Sequence, residues 1–218
     1  MERGNIKQGM SLAFLGGYVD TLGFIGLFGL FTAHVTGNFV LIGRALVEPA
    51  REIIPKLLVF PVFILFVALS RILILHWERN NRPALRNSYL LQLLLLLATL
   101  VCAYVASPMA NAHEPLSLLT GMLCAGAMAT QNAYGKLLLG KSAATTVMTG
   151  NVTQLVIELT DSLRGDPLAI GRCKVLVWPV VCFAAGCILG AYAYMGFGFN
   201  GLLLPCVILA CMAGATRD

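Results

Sequence analysis

The chain has 218 residues, of which 58% are hydrophobic and 11% charged, with a mean hydropathy of +0.83 and a formal net charge of +5. A soluble domain carries about 25% charged residues, so this balance excludes one and predicts an integral membrane protein whose positive charge reports orientation rather than nucleic-acid binding. Seven cysteines lie almost entirely in apolar sequence, none in a Cys-x-x-Cys pair, and read as small hydrophobes rather than as metal or redox groups.

A helix needs roughly 20 apolar residues to cross a bilayer. Six segments qualify, at about residues 10–31, 56–76, 88–107, 116–138, 172–195 and 199–215. They leave nothing over for a soluble domain, so residues 1–218 are expected to form one all-α transmembrane domain. The first segment follows Arg3 and Lys7 but is interrupted by Asp20, and it reads as a retained helix, not a signal peptide. Its Gly16, Gly17, Gly23, Gly26 and Gly29 predict a seam of close helix packing.

After Phe31 the pattern changes. His34-Val35-Thr36-Gly37-Asn38 is polar for its position, and Phe39 to Val47 is an apolar run too short to span. Thr36 is expected to cap a short helix. The second spanning segment carries Pro61, and toward its end Arg71, His76 and Trp77, which suit a membrane interface. The third, Tyr89 to Ala106, is leucine-rich with Gln92 as its notable polar group, and is expected to face lipid. The fourth ends in Gln131-Asn132-Ala133; then Thr145, Thr146 and Thr149-Gly150-Asn151 lead into a second short run, Val152 to Leu159. The fifth carries Pro179 and Gly186-x-x-x-Gly190, a candidate helix-contact face.

Two of these phrases recur in the same order. Thr36-Gly37-Asn38 is followed by Lys56-Leu57-Leu58-Val59-Phe60-Pro61-Val62, and Thr149-Gly150-Asn151 by Lys174-Val175-Leu176-Val177-Trp178-Pro179-Val180. The threonine-to-lysine spacing is 20 residues in the first copy and 25 in the second, with the insertion falling near Asp161 to Asp166. The chain therefore reads as a duplication, with repeats of about 1–108 and 109–218. If the short runs do not span, each repeat has three crossings, and the odd number inverts the second repeat. If they span, each has four and the repeats are parallel. Arg79, Arg82 and Arg86 mark one connector as cytoplasmic, and Lys136 with Lys141 another, while residues 107–115 carry no Lys or Arg. The six-crossing count puts both termini, with Arg3, Lys7 and Arg217, on the cytoplasmic side. Arg44, Arg51 and Lys56 run against that vote. The expectation is two inverted three-helix repeats, each with a broken or re-entrant short helix after Thr-Gly-Asn.

A lone charge at mid-helix costs about 2.5–3.5 kcal/mol on insertion scales, so Asp20 needs a partner. His34, Arg44 and the threonines are available. It either fixes helix packing or serves as a proton or cation site. Its place in the second repeat is held by the neutral Gln131-Asn132, and that of His34 by Val147, so the repeats are not chemically equivalent. Freed backbone groups and asparagine amides at interrupted helices can hold a small solute or ion. The substrate-binding candidates are Asp20, His34, Thr36, Gly37, Asn38, Gln131, Asn132, Thr149, Gly150 and Asn151. No catalytic residue, metal ligand or cofactor is expected, and no enzyme signature is found.

Gly17-Tyr18-Val19-Asp20, His34 to Asn38, Gln131-Asn132-Ala133 and Thr145 to Asn151 together resemble the YoaK-like family of bacterial multi-pass inner-membrane proteins, a family of unknown function. The resemblance covers essentially the whole chain and implies a bacterial cytoplasmic membrane, but no substrate. The expected function is a small-solute or ion transporter or channel. The expected partners are the lipid bilayer, the solute and a second copy of the chain in a homodimer, without nucleic acid. The alternative is a non-transporting membrane scaffold or sensor.

Overall fold

The computed structural model describes residues 3–48, 53–140 and 144–216. Arg51, Lys141 and Arg217, which enter the orientation argument, lie outside the described residues. Among the described residues the chain forms eight α-helices and no strand: α1 (Arg3–Gly26), α2 (Val35–Val47), α3 (Ile53–Arg79), α4 (Ala84–Val105), α5 (Pro115–Leu138), α6 (Thr149–Leu163), α7 (Ala169–Phe197) and α8 (Leu203–Ala215), with a 3-10 turn at Gly198–Leu202 before α8. A helix occupies each of the six expected segments, and a short helix follows each polar motif. The order long, short, long with an internal proline, then a fourth helix occurs twice, with Pro61 inside α3 and Pro179 inside α7.

Among the described residues, three stretches are long and apolar enough to cross a membrane: Ile53–Arg79, Ala84–Val105 and Ala169–Ala215. They fit a membrane protein. α1 and α5 are less apolar for a physical reason, since they form the interior and touch protein. Leu12, Leu15, Val19 and Leu22 of α1 are sealed off, and so is nearly the whole middle of α5 from Met122 to Ala129. Small and polar side chains suit that position because helices inside lipid pack by close backbone approach and hydrogen bonding.

Packing crosses between the two halves. α1 lies mainly along α7, and α5 along α3 and α4; α2 rests on α3, α6 on α7, and α8 on α4. The first helix of each half thus packs against the proline-bearing helix of the other. At the α1–α7 seam a Cβ on Gly186 would collide with the Phe14 carbonyl, one on Gly190 with the Tyr18 carbonyl, and one on Gly17 with the Phe183 carbonyl. The expected contact face at Gly186 and Gly190 is therefore real, and it lies within the chain. On α5, Gly126 gives way to the Phe66 ring of α3, 2.9 Å from where a Cβ would sit.

Four expectations need correction. α1 stops at Gly26, because Phe28 and Gly29 adopt φ of 57° and 75°, the left-handed region in which a right-handed helix cannot continue. Gly29 therefore belongs to a turn and not to the packing seam. Thr36 is not a cap: α2 already begins at Val35 after His34, and α6 begins at Thr149 after Met148, each without a side-chain cap. α6 also runs four residues past Leu159, to Leu163, into the connector that holds the insertion. Finally, α4 does not merely face lipid. Ser88, Gln92, Leu95, Leu96, Thr99 and Ala103 recur at helical spacing and are buried, while Leu94, Leu97 and Val101 point outward. A leucine-rich sequence hides that stripe because both faces are apolar.

Gly186→Ala or Gly190→Ala is expected to destabilise the detergent-solubilised protein by about 1–3 kcal/mol, the usual cost of forcing volume into a packed seam. Gly196→Ala, which meets nothing within 4 Å on the same helix, should leave the thermal midpoint unchanged. Equal behaviour of the three variants would contradict the crossed packing.

Candidate functional site: two clasped loops

The turn between α1 and α2 leaves helical geometry beside the end of α1, and its backbone groups need partners. Asp20, 4% exposed, supplies them. Its Oδ1 accepts from the Thr32 N–H at 2.7 Å, the Ala33 N–H at 2.6 Å and the Thr32 hydroxyl at 3.1 Å, while Oδ2 faces His34 Nδ1 at 2.6 Å. That donor set suits the ionised, acceptor-only carboxylate. Asn38, from the first turn of α2, completes the grip. Its Oδ1 accepts from the Phe31 N–H at 3.1 Å, and its Nδ2 donates to the Phe31 carbonyl at 2.8 Å. One amide thus takes the place of a backbone neighbour. The His34 ring sits edge-on to Phe31 and to Phe183 of α7, with centroids 6.1 and 5.6 Å away.

The second loop, from Ala144 to Met148, is built to the same plan with neutral groups. Asn151 Nδ2 donates to the Ala144 carbonyl at 2.7 Å, across the same seven-residue separation as Asn38 to Phe31. The Thr146 hydroxyl donates to Asn132 Oδ1 at 2.6 Å, spanning the same fourteen residues as Asp20 to His34. Gln131 Nε2 donates to the Thr145 hydroxyl at 3.3 Å and to the Leu12 carbonyl of α1 at 2.8 Å. Behind Gln131 the chain of bonds continues: Gln92 Nε2 donates to Gln131 Oε1 at 2.8 Å, and the Tyr134 hydroxyl donates to Gln92 Oε1 at 2.5 Å. Gln92 is thus part of the buried network, in place of the lipid-facing role expected of its helix.

Both loops lie against the same two helices. On α1, Gly16, Asp20 and Gly23 share one stripe at spacings of four and three. A Cβ on Gly16 would sit 2.5 Å from the Thr145 carbonyl, and one on Gly23 3.1 Å from the Thr32 methyl. On α5, Cys124 lies beside the Thr32 side chain and Gly121 adjoins Leu30, whereas Gln131 and Asn132 hold the second loop. A cavity of about 130 Å³ opens beside that loop, lined by Asn132, Gly135, Lys136, Leu139, Gly140, Ala144, Thr145 and Thr146.

Of the predicted residues, Asp20, His34 and Asn38 come together on the first loop, and Gln131, Asn132 and Asn151 on the second. Thr36, Thr149 and Gly150 are exposed on the outer faces of α2 and α6, away from the clasps. Gly37 contributes by lacking a side chain, since a Cβ there would lie 2.9 Å from the Phe31 ring. Sequence reasoning passed over Thr32 and Ala33, which offer backbone more than side chain, and Tyr134, whose role appears only once Gln92 is seen to be buried. Arg44 does not reach Asp20; it pairs with Glu48 at 3.0 Å. Glu158 is buried and, with Asp166, receives Arg172 of α7, each at 2.5 Å, fastening α6 to α7. The Arg172 guanidinium, helped by the Leu168 N–H, holds the Asp166 carboxyl below the ordinary carboxylate range.

An all-helical chain with long apolar helices and a buried polar seam between its two halves fits the membrane-protein class. More narrowly, the chain belongs to DUF1275, a family described as a protein of unknown function, whose model matches residues 8–215. No curated protein and no solved structure matches the chain.

Asn38→Ala removes both bonds to Phe31 and should cost more stability than Asn151→Ala, which frees one backbone carbonyl, at about 1–3 kcal/mol per group left unpaired. Thr36→Ala, on an exposed face, should stay within about 0.5 kcal/mol. Chemical denaturation in micelles ranks the three, and a Thr36 effect as large as that of Asn38 would remove the basis for the clasp.

Proposed function

We propose that the protein is a small-solute or ion transporter or channel of the bacterial inner membrane, with its site at the seam where the two clasped loops meet α1 and α5. The observation that carries this reading is the repetition of one device, an interrupted helix gripped by a polar side chain, on a single pair of interior helices. Irregular backbone at membrane depth survives where protein or a polar cavity surrounds it, and paired interruptions at a repeat interface are where secondary transporters bind their substrates.

The order of contacts supports inverted repeats. Going up α1 from Leu12 to Asp20 and Gly23, the loops and side chains met belong to α5 in descending order, from Gln131 to Cys124 and Gly121. Equivalent helices of the two halves thus run in opposite senses. Contacts ascend together between α1 and α7 (Phe14 with Gly186, Tyr18 with Gly190) and between α3 and α5 (Phe66 with Gly126, Ser70 with Thr130). They descend between α4 and α5 (Tyr89 with Tyr134, Gln92 with Gln131). Six alternating passes, with α2 and α6 not crossing, satisfy every one of these pairs and put both termini on one side, which the Arg79, Arg82 and Arg86 connector marks as the cytoplasmic one by the positive-inside rule.

One observation favours a scaffold or sensor instead: both carboxylate oxygens of Asp20, both amide atoms of Asn38 and the amide nitrogen of Asn151 are engaged within their own clasps. Flux separates the two. Proteoliposomes carrying pH- and potassium-sensitive dyes, together with light-scattering assays of small neutral solutes and amino acids, should report movement that falls at least tenfold in Asp20→Asn and Asn38→Ala. Unaltered flux in both variants removes the site, and no flux of any probe supports the scaffold. Separately, green fluorescent protein fused after Ala215 should fluoresce, and alkaline phosphatase inserted near Asn111 should be active; the reverse pattern overturns the orientation.

A further inference from the structure

We infer that the His34–Asp20 pair is a proton-binding site, and that a proton is the ion coupled to the loop between α1 and α2; the coupling rests on the transport reading above, the proton site does not. Asp20 Oδ1 is filled by three donors, which leaves Oδ2 to His34 Nδ1. A neutral imidazole has one N–H, and a carboxylate partner fixes it on Nδ1. Nε2 is then the nitrogen with the lone pair. The histidine side chain is 27% exposed and the aspartate 5%, so a proton reaches the pair through the imidazole.

Uptake is simple to balance. Hydronium gives its proton to the Nε2 lone pair, an N–H forms as an O–H breaks, water departs, and the pair passes from net −1 to neutral. The resulting imidazolium makes the Nδ1–H···Oδ2 contact charge-assisted on both sides, which strengthens it. Proton binding therefore tightens the loop and release loosens it. Other titratable groups around the loop are Cys124 of α5, beside Thr32, Cys187 of α7, beside Thr21, and Lys56 of α3, which reaches the Phe28 carbonyl at 3.4 Å. The second loop is held instead by Asn132 with Thr146 and by Gln131 with Thr145, amides and hydroxyls whose charge does not change with pH. The two loops thus differ in that the first holds a group that can take up a proton and the second does not.

The test uses the full chain in lipid nanodiscs with its three histidines labelled with nitrogen-15, the His34 signals being identified by their loss in His34→Gln. Titration by NMR should find Nδ1 of His34 protonated throughout, with Nε2 gaining its proton as pH falls, and Asp20→Asn should abolish the preference for Nδ1. A titrating Nδ1, an Nε2 that never changes while the protein stays folded, or a spectrum indifferent to Asp20→Asn overturns the inference. If Asp20→Asn does not fold, the wild-type tautomer decides alone. Dye-reported flux in proteoliposomes is read separately. Absent flux with the expected titration sinks the transport reading and upholds the proton site, whereas flux without the titration does the reverse.

Discussion

Backbone that leaves a helix in a protein's interior must find its hydrogen bonds in side chains, because an unpaired buried polar group is costly. The structure meets that demand at two places with the same means. Asn38 and Asn151 each reach back seven residues to a carbonyl, and a polar residue near the end of the preceding long helix holds the next part of the loop. Much of the rest follows. α1 and α5 must carry Asp20, Gln131 and Asn132, so they cannot be fully apolar, so they are placed inside, and α3, α4 and α7 are left to form the apolar outer surface.

The helix positions, with a short helix at each Thr-Gly-Asn, were legible in the sequence, because they rest on apolar run length and on a repeated phrase. Asp20 was legible as a residue that needed a partner, and His34 was among the partners available. What escaped was every contact made by backbone. Ala33 and Phe31 have no side-chain chemistry, yet their N–H groups define the first clasp. Gln92 escaped for a different reason: in a helix that is leucine on all sides, no periodicity distinguishes the stripe that packs on α5 from the one that faces out. Thr36 looked like a helix cap because its residue type favours one, but the loop had already turned into helix at Val35, its carbonyls and N–H groups engaged by Asp20 and Asn38.

The halves are alike in architecture and unlike in charge. The first clasp uses a carboxylate and an imidazole, the second uses amides and hydroxyls, and the pairings keep the same separations along the chain. The outer helices differ as well. α6 is fastened by Arg172 through Glu158 and Asp166, whereas the only basic residue of α2, Arg44, pairs with a neighbour on its own helix turn. The two loops thus share a geometry and differ in their electrostatics.

The crossed seam also dictates an order of events during synthesis. The backbone of α1 at Phe14 and Tyr18 has its closest neighbours at Gly186 and Gly190, which leave the ribosome more than 160 residues later. At about 5–20 residues per second, the nascent chain spends on the order of 10–30 s with an acid-bearing first segment whose lasting companion has not yet been made. The early polypeptide must therefore be sheltered by the insertion machinery or by its own second and third segments until the late one arrives.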